Sequence, residues 1–127
     1  MDFSLDEHRV IGELKYGELS ITGNSEYGYG PSELLVSSVV GCSGGVLKNI
    51  LEKKRVSYDD IKIKVNISKS EEEVARITNI HIHFILEGND LDEEKIKSSV
   101  ELTPQHCPMV QSVKDSIEVK ETFELKS

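Results

Sequence analysis

Residues Gly30 to Arg55 read GPSELLVSSVVGCSGGVLKNILEKKR, and this stretch decides the fold. Pro31 suits the first turn of a helix, where its missing amide proton would have no partner anyway. From Ser32 to about Arg55 no proline interrupts, and Leu34, Leu35, Val36, Val39, Val40, Val46, Leu47, Ile50 and Leu51 recur at helical spacings. The spacing predicts one long helix starting at Pro31 or Ser32. Its first two-thirds carry apolar residues nearly all round, which predicts burial within other layers. Glu52, Lys53, Lys54 and Arg55 mark its end, where cations complement the helix dipole.

Upstream, short alternations (Arg9 to Leu14, then Glu18 to Ile21) punctuated by Gly12, Gly17 and Gly23 predict an N-terminal meander of strands. Downstream, Ile61, Ile63, Val65 and Ile67 alternate with polar residues and predict a half-buried strand. Ile80, Ile82 and Phe84 repeat the pattern after a polar turn near residues 69–73, so the two form an antiparallel pair with His81 and His83 on the outer face. Asp90 or Asp92 is suited to cap a second helix, whose stripe is Leu91, Ile96, Val100 and Leu102. Pro104 is expected to end it near Thr103. Ile117, Val119, Thr122 or Phe123, and Leu125 predict a closing strand. No repeat or linker is evident, so residues 1–127 are expected to form one α+β domain.

Charge narrows the partners. With 23 acidic against 15 basic residues, the net charge of −8 repels phosphate backbones and anionic membranes, so neither nucleic acid nor membrane is expected as a partner. No uninterrupted apolar run approaches the roughly 20 residues of a membrane span, and the start, MDFSLDEHRV, lacks the pattern of a signal peptide. A soluble protein in a reducing cytoplasm is the expectation. Two cysteines do not make a disulfide scaffold there.

Cys42 stands mid-helix in Val40-Gly41-Cys42-Ser43-Gly44-Gly45-Val46. At about 100° per residue, Leu35, Val39 and Val46 share its face, so its sulfur is expected to look into apolar surroundings that raise a thiol pKa. Three glycines in five residues cost a helix about 1 kcal/mol each against alanine, which implies a close approach to this backbone. A crossing helix, such as the same helix of a second copy, is one account; room for a substrate is the other. Cys107 lies in Thr103-Pro104-Gln105-His106-Cys107-Pro108, and Pro108 suits the first position of a short helix to about Val113. That places Cys107 at an N-cap, where free amides favour a thiolate.

The order of elements, with GPSELLVSSVVGC ending at Cys42 and HCP ending at Pro108, resembles the OsmC/Ohr family over nearly the whole chain. The resemblance implies an OsmC-like fold of antiparallel sheets packed around a long central helix in an intertwined homodimer. It implies a thiol-dependent reductase of organic hydroperoxides, regenerated by a thiol reductant. In that chemistry Cys42 attacks the peroxide and Cys107 resolves the sulfenic acid as a disulfide, both sulfurs lying at one pocket. The family's peroxidases hold an arginine near the attacking sulfur with a glutamate directly after the helix-starting proline. Here Ser32 fills that slot and Glu33 follows it, turned by about 100°. Glu33 is the nearest counterpart, and Arg9, from the N-terminal strands, is the first choice among Arg9, Arg55 and Arg76 for the cation.

Two other readings compete with the peroxidase. One is a non-peroxidatic dimer of the same fold that binds a small apolar ligand, which the Ser32 departure favours; the other is a metal or structural module with two bland cysteines. His81 and His83 share a strand face, but two residues do not complete a metal site, so no metal is assigned, nor any cofactor. His106 is a candidate to polarise Cys107, with plain exposure as the alternative, and Tyr27 and Tyr29 before the helix are candidates for the mouth of the pocket, with turn packing as the plainer account.

Overall fold

The computed structural model describes residues 1–127. Strands β1 (Asp2–Leu5), β2 (Val10–Leu14) and β3 (Gly17–Ile21) form an antiparallel meander in the order β1-β2-β3. Gly12 lies opposite Phe3, and a Cβ there would meet the Phe3 ring at 2.7 Å, so only glycine lets the ring lie across β2. The segment leading to the long helix returns along β3: the Tyr29 amide donates to the Ser20 carbonyl at 2.9 Å, and the Thr22 amide to the Tyr29 carbonyl at 2.9 Å. Gly28 permits this, since a Cβ would stand 2.5 Å from the Ser20 carbonyl oxygen.

Helix α1 runs from Pro31 to Lys53. The compact units of the chain, residues 1–37 and 38–127, divide within it. Its end is a left-handed cap: Arg55 has φ 57°, its amide donates to the Glu52 carbonyl, and the Val56 amide donates to the Leu51 carbonyl, each at 3.0 Å. Glycine usually fills that cap position, so Arg55 carries a backbone cost there.

In the second unit, β4 (Asp60–Lys69), β5 (Ile77–Glu87) and β6 (Glu118–Lys126) form a sheet in that order. Residues opposite each other share a face, and one face carries Ile61, Ile63, Val65 and Ile67 of β4 against Leu86, Phe84, Ile82 and Ile80 of β5. The last four are fully buried and form the centre of the core. Helix α2 (Glu93–His106) adds buried Ile96, Val100 and Thr103, and the short α3 (Pro108–Val113) adds Val110. Asp92 is the N-cap of α2, accepting a hydrogen bond from the Lys95 amide at 3.1 Å.

Several expectations are corrected. The β4–β5 pair is antiparallel as anticipated, but β6 joins β5 in parallel, because α2 and α3 carry the chain back to the start of β5 before β6 begins. Helix α2 continues through Pro104 to His106; a proline in the last turn removes only one intrahelical bond, and the helix ends two residues later regardless. Within the single chain α1 is not buried all round. Only the stripe Val39, Ser43, Leu47 and Leu51 is fully buried, while Val36, Val40, Val46 and Ile50 are half-buried and Leu35 remains 38% exposed. Averaged over its serines and glycines, α1 is also long and apolar enough to cross a membrane, which counting uninterrupted runs overlooked; the core helix of a soluble protein meets the same criterion.

Candidate functional site

The stripe of α1 that enters the core is spaced i, i+4, i+8, i+12, and Ser43 is its one hydroxyl. Cys42 is its neighbour, about 100° round the helix, and is therefore half-buried at the edge of that stripe rather than pointing into the middle of the core. Cys107 sits between α2 and α3, completely buried, as the N-cap of α3. Both cysteines are free thiols. The structure brings them together although they are 65 positions apart in the chain: the Cys107 thiol is close enough to bear on the ionisation of Cys42, and the fully buried hydroxyl of Ser43, the next residue after Cys42, donates to Cys107 Sγ at 3.6 Å.

Burial pushes the Cys42 thiol above the ordinary range, and contact with Cys107 and the charge of Glu121 add to the rise. One influence opposes it, a hydrogen bond from the Met109 backbone amide. Met109 is the second residue of α3, whose first amides have no partner within the helix. The helix start expected to serve Cys107 thus reaches the sulfur of Cys42, and the Cys107 side chain makes no capping hydrogen bond.

Glu121 is a member of the site that the sequence reading missed. On β6 the residues Val119, Glu121, Phe123 and Leu125 stand opposite the buried Ile80, Ile82, Phe84 and Leu86 of β5, so Glu121 occupies an inward position. Both carboxyl oxygens are buried without a hydrogen-bond partner of normal geometry. Burial raises its pKa from 4.5 to about 7, with the nearby Ser43 hydroxyl pulling the other way. The alternation at 117, 119, 121, 123 and 125 was the available signal, since it leaves a carboxylate at a core position.

Arg9 bonds Asp6 through Nε at 3.2 Å and pairs with Glu18 at 3.6 Å, on the N-terminal meander. Glu33 is exposed in the first turn of α1, and Ser32 is half-buried. His81 and His83 both bond the Thr122 hydroxyl, at 2.7 and 2.6 Å, on the outer face of the sheet, and no cluster of three ligating side chains exists to hold a metal. Tyr27 stacks on His8 with ring centroids 4.1 Å apart. His106 lines a cleft of about 400 Å³ with Val46, Asn49, Ile50, Lys53, Lys54 and Leu102, whose lining includes neither cysteine.

The site is thus a small α+β fold holding two neighbouring free thiols, with a helix-start amide bearing on the more accessible one. The family model of OsmC-like protein matches residues 22–122, and the chain belongs to that family. It is 26% identical over 118 residues to Protein YhfA of Escherichia coli K12, covering 91% of this chain and 88% of that protein. The fold is similar to that of a protein from Aquifex aeolicus VF5 at TM-score 0.86 and 28% identity, covering 98% of this chain and 93% of that one. It is also similar to the organic hydroperoxide resistance protein OhrB of Bacillus subtilis at TM-score 0.70 and 17% identity, covering 97% and 95%. At that identity the last likeness concerns the fold alone.

Proposed function

We propose that the protein is a thiol-dependent reductase of organic hydroperoxides, with Cys42 as the attacking and Cys107 as the resolving thiol. Membership of a family with organic hydroperoxide resistance proteins among its structural neighbours supports a peroxide-related redox role. The observation that carries the finer reading is the contact between a half-buried and a fully buried thiol. The accessible sulfur meets the peroxide, and the buried one lies where a sulfenic acid on Cys42 is trapped before further oxidation. Cys42 thiolate attacks the O–O bond, an alcohol leaves on protonation, and Cys107 displaces water from the sulfenic acid to close the disulfide. A thiol reductant then reopens it. The Met109 amide stabilises the thiolate form of Cys42. Arg9 and Glu33 are proposed, from the family resemblance alone, as the cation and its holder.

The 127 residues are proposed to act as one domain in a cytoplasmic homodimer. The incompletely buried apolar residues of α1 (Leu35, Val40, Val46 and Ile50 among them) support the dimer, as do Gly41 and Gly45, where an added Cβ would meet nothing within 4 Å in the single chain. Their absent side chains make room for something other than this chain. Gly44 is accounted for internally, because its Cβ would stand 3.1 Å from Ile63 Cδ1.

The raised pKa of Cys42 favours a second reading, a dimer that binds a small apolar ligand without reducing peroxide. Stoichiometric alkyl hydroperoxide followed by mass spectrometry separates the two. The peroxidase gives a Cys42–Cys107 disulfide, and Cys107→Ser leaves a trappable sulfenic acid on Cys42. Peroxide consumption unaffected by Cys42→Ser removes the first reading.

A further inference from the structure

Glu121 is unexplained by packing. A carboxyl among Val119, Phe123 and the fully buried Ile82 loses its hydration, and neither of its oxygens recovers a hydrogen bond of normal geometry. Helix α2, which packs on β6, presents no titratable group among its buried side chains: the Ser99 and Thr103 hydroxyls are spent on the Lys95 and Ser99 carbonyls of their own helix. Strand β5 presents Ile82. Lys120, His81 and His83 belong to the opposite face of the sheet. The groups that bear on the carboxyl are therefore Ser43 and the two thiols.

Resting on the peroxidase reading, we propose that Glu121, acting through the Ser43 hydroxyl, is the proton relay of Cys107 during disulfide closure. A hydroxyl donates one hydrogen bond and accepts two, and its hydrogen rotates freely. With Ser43 turned towards the Glu121 carboxylate, its oxygen accepts the Cys107 S–H. Transfer along this path leaves a carboxylic acid at Glu121 and a thiolate at Cys107 that accepts the Ser43 hydrogen bond, across the 3.6 Å that separate Ser43 Oγ from Cys107 Sγ. The Cys107 sulfur then gives an electron pair to the Cys42 sulfur of the sulfenic acid. The S–S bond forms, the S–O bond breaks, and the departing hydroxide takes the proton from Glu121 to leave as water. Sulfenic acid and thiol have become disulfide and water, and the carboxylate is restored. A carboxyl whose pKa lies near 7 both accepts and returns a proton near neutrality, which an ordinary glutamate does poorly.

The test uses the folded chain and needs no peroxide. An aromatic disulfide reagent, 5,5'-dithiobis(2-nitrobenzoate), is attacked first by the accessible Cys42, releasing one coloured thiolate. Cys107 then attacks the mixed disulfide and releases a second. Glu121→Gln is expected to lower the rate of the second phase relative to the first by about a hundredfold, the lower end of what a positioned proton acceptor contributes. The second phase of the unaltered chain should rise with pH through about 7, and that inflection should vanish in Glu121→Gln. Ser43→Ala, similar in volume, should show the same loss with an unchanged circular dichroism spectrum. An unaltered second phase and pH profile in either variant overturns the relay. If the relay behaves as expected and alkyl hydroperoxide still leaves Cys42 unoxidised, the relay stands and the peroxidase reading falls.

Discussion

Glu121 makes a prediction about stability that is independent of any reaction. In the folded protein its carboxyl titrates near 7, against 4.5 for an ordinary glutamate. The folded state therefore holds a proton that the unfolded chain has released, and stability falls by linkage as pH rises between these values. Stability is fully present below about pH 4.5, is lost progressively up to about pH 7, and is level above. For a fully shielded group this shift corresponds to about 3 kcal/mol. The side chain keeps some contact with water, so screening reduces the figure to about 1–2 kcal/mol. Urea denaturation at pH 5 and pH 8 measures it, with Glu121→Gln as the control that cancels all other titrations. The variant should gain stability at pH 8 relative to the parent and show a pH dependence flatter by that amount. Equal pH dependence of parent and variant would refute the reasoning, and would mean that the carboxylate is satisfied by a cation supplied from outside the single chain.

Asp92→Ala, measured by urea denaturation, should cost about 1 kcal/mol, since the Lys95 amide loses its capping acceptor. Arg55→Gly should raise stability by about 0.5–1 kcal/mol, because Arg55 occupies a left-handed cap at φ 57°; a thermal melt reads this directly. Leu47→Ala, which empties a fully buried position on the core stripe of α1, should cost roughly 2–5 kcal/mol in the same melt. An added Cβ at Gly45 meets nothing within 4 Å in the single chain, so Gly45→Leu should show weakened dimerisation by sedimentation.

What the amino-acid order determined by itself is what local periodicity can carry. Helix α1 was legible from Pro31 onwards because apolar spacing, an N1 proline and a basic end agree, and β4 and β5 because two-residue alternation has no helical counterpart. The N-cap position of Cys107 followed in the same way from Pro108. Pairing between distant segments was beyond such reasoning. The family resemblance put both sulfurs at one pocket, but only the folded chain brings the Met109 amide to bear on Cys42, while the Cys107 side chain makes no capping hydrogen bond. Inward-facing Glu121 was masked because a carboxylate interrupts the apolar pattern, and a reading that slips by one residue to Thr122 turns every side chain to the other face. The parallel register of β6 on β5 decides that slip, setting Glu121 opposite Ile82 and within reach of Ser43 and the thiols. Such a register depends on how α2 and α3 return the chain across the sheet, a long-range constraint that no window of consecutive residues contains.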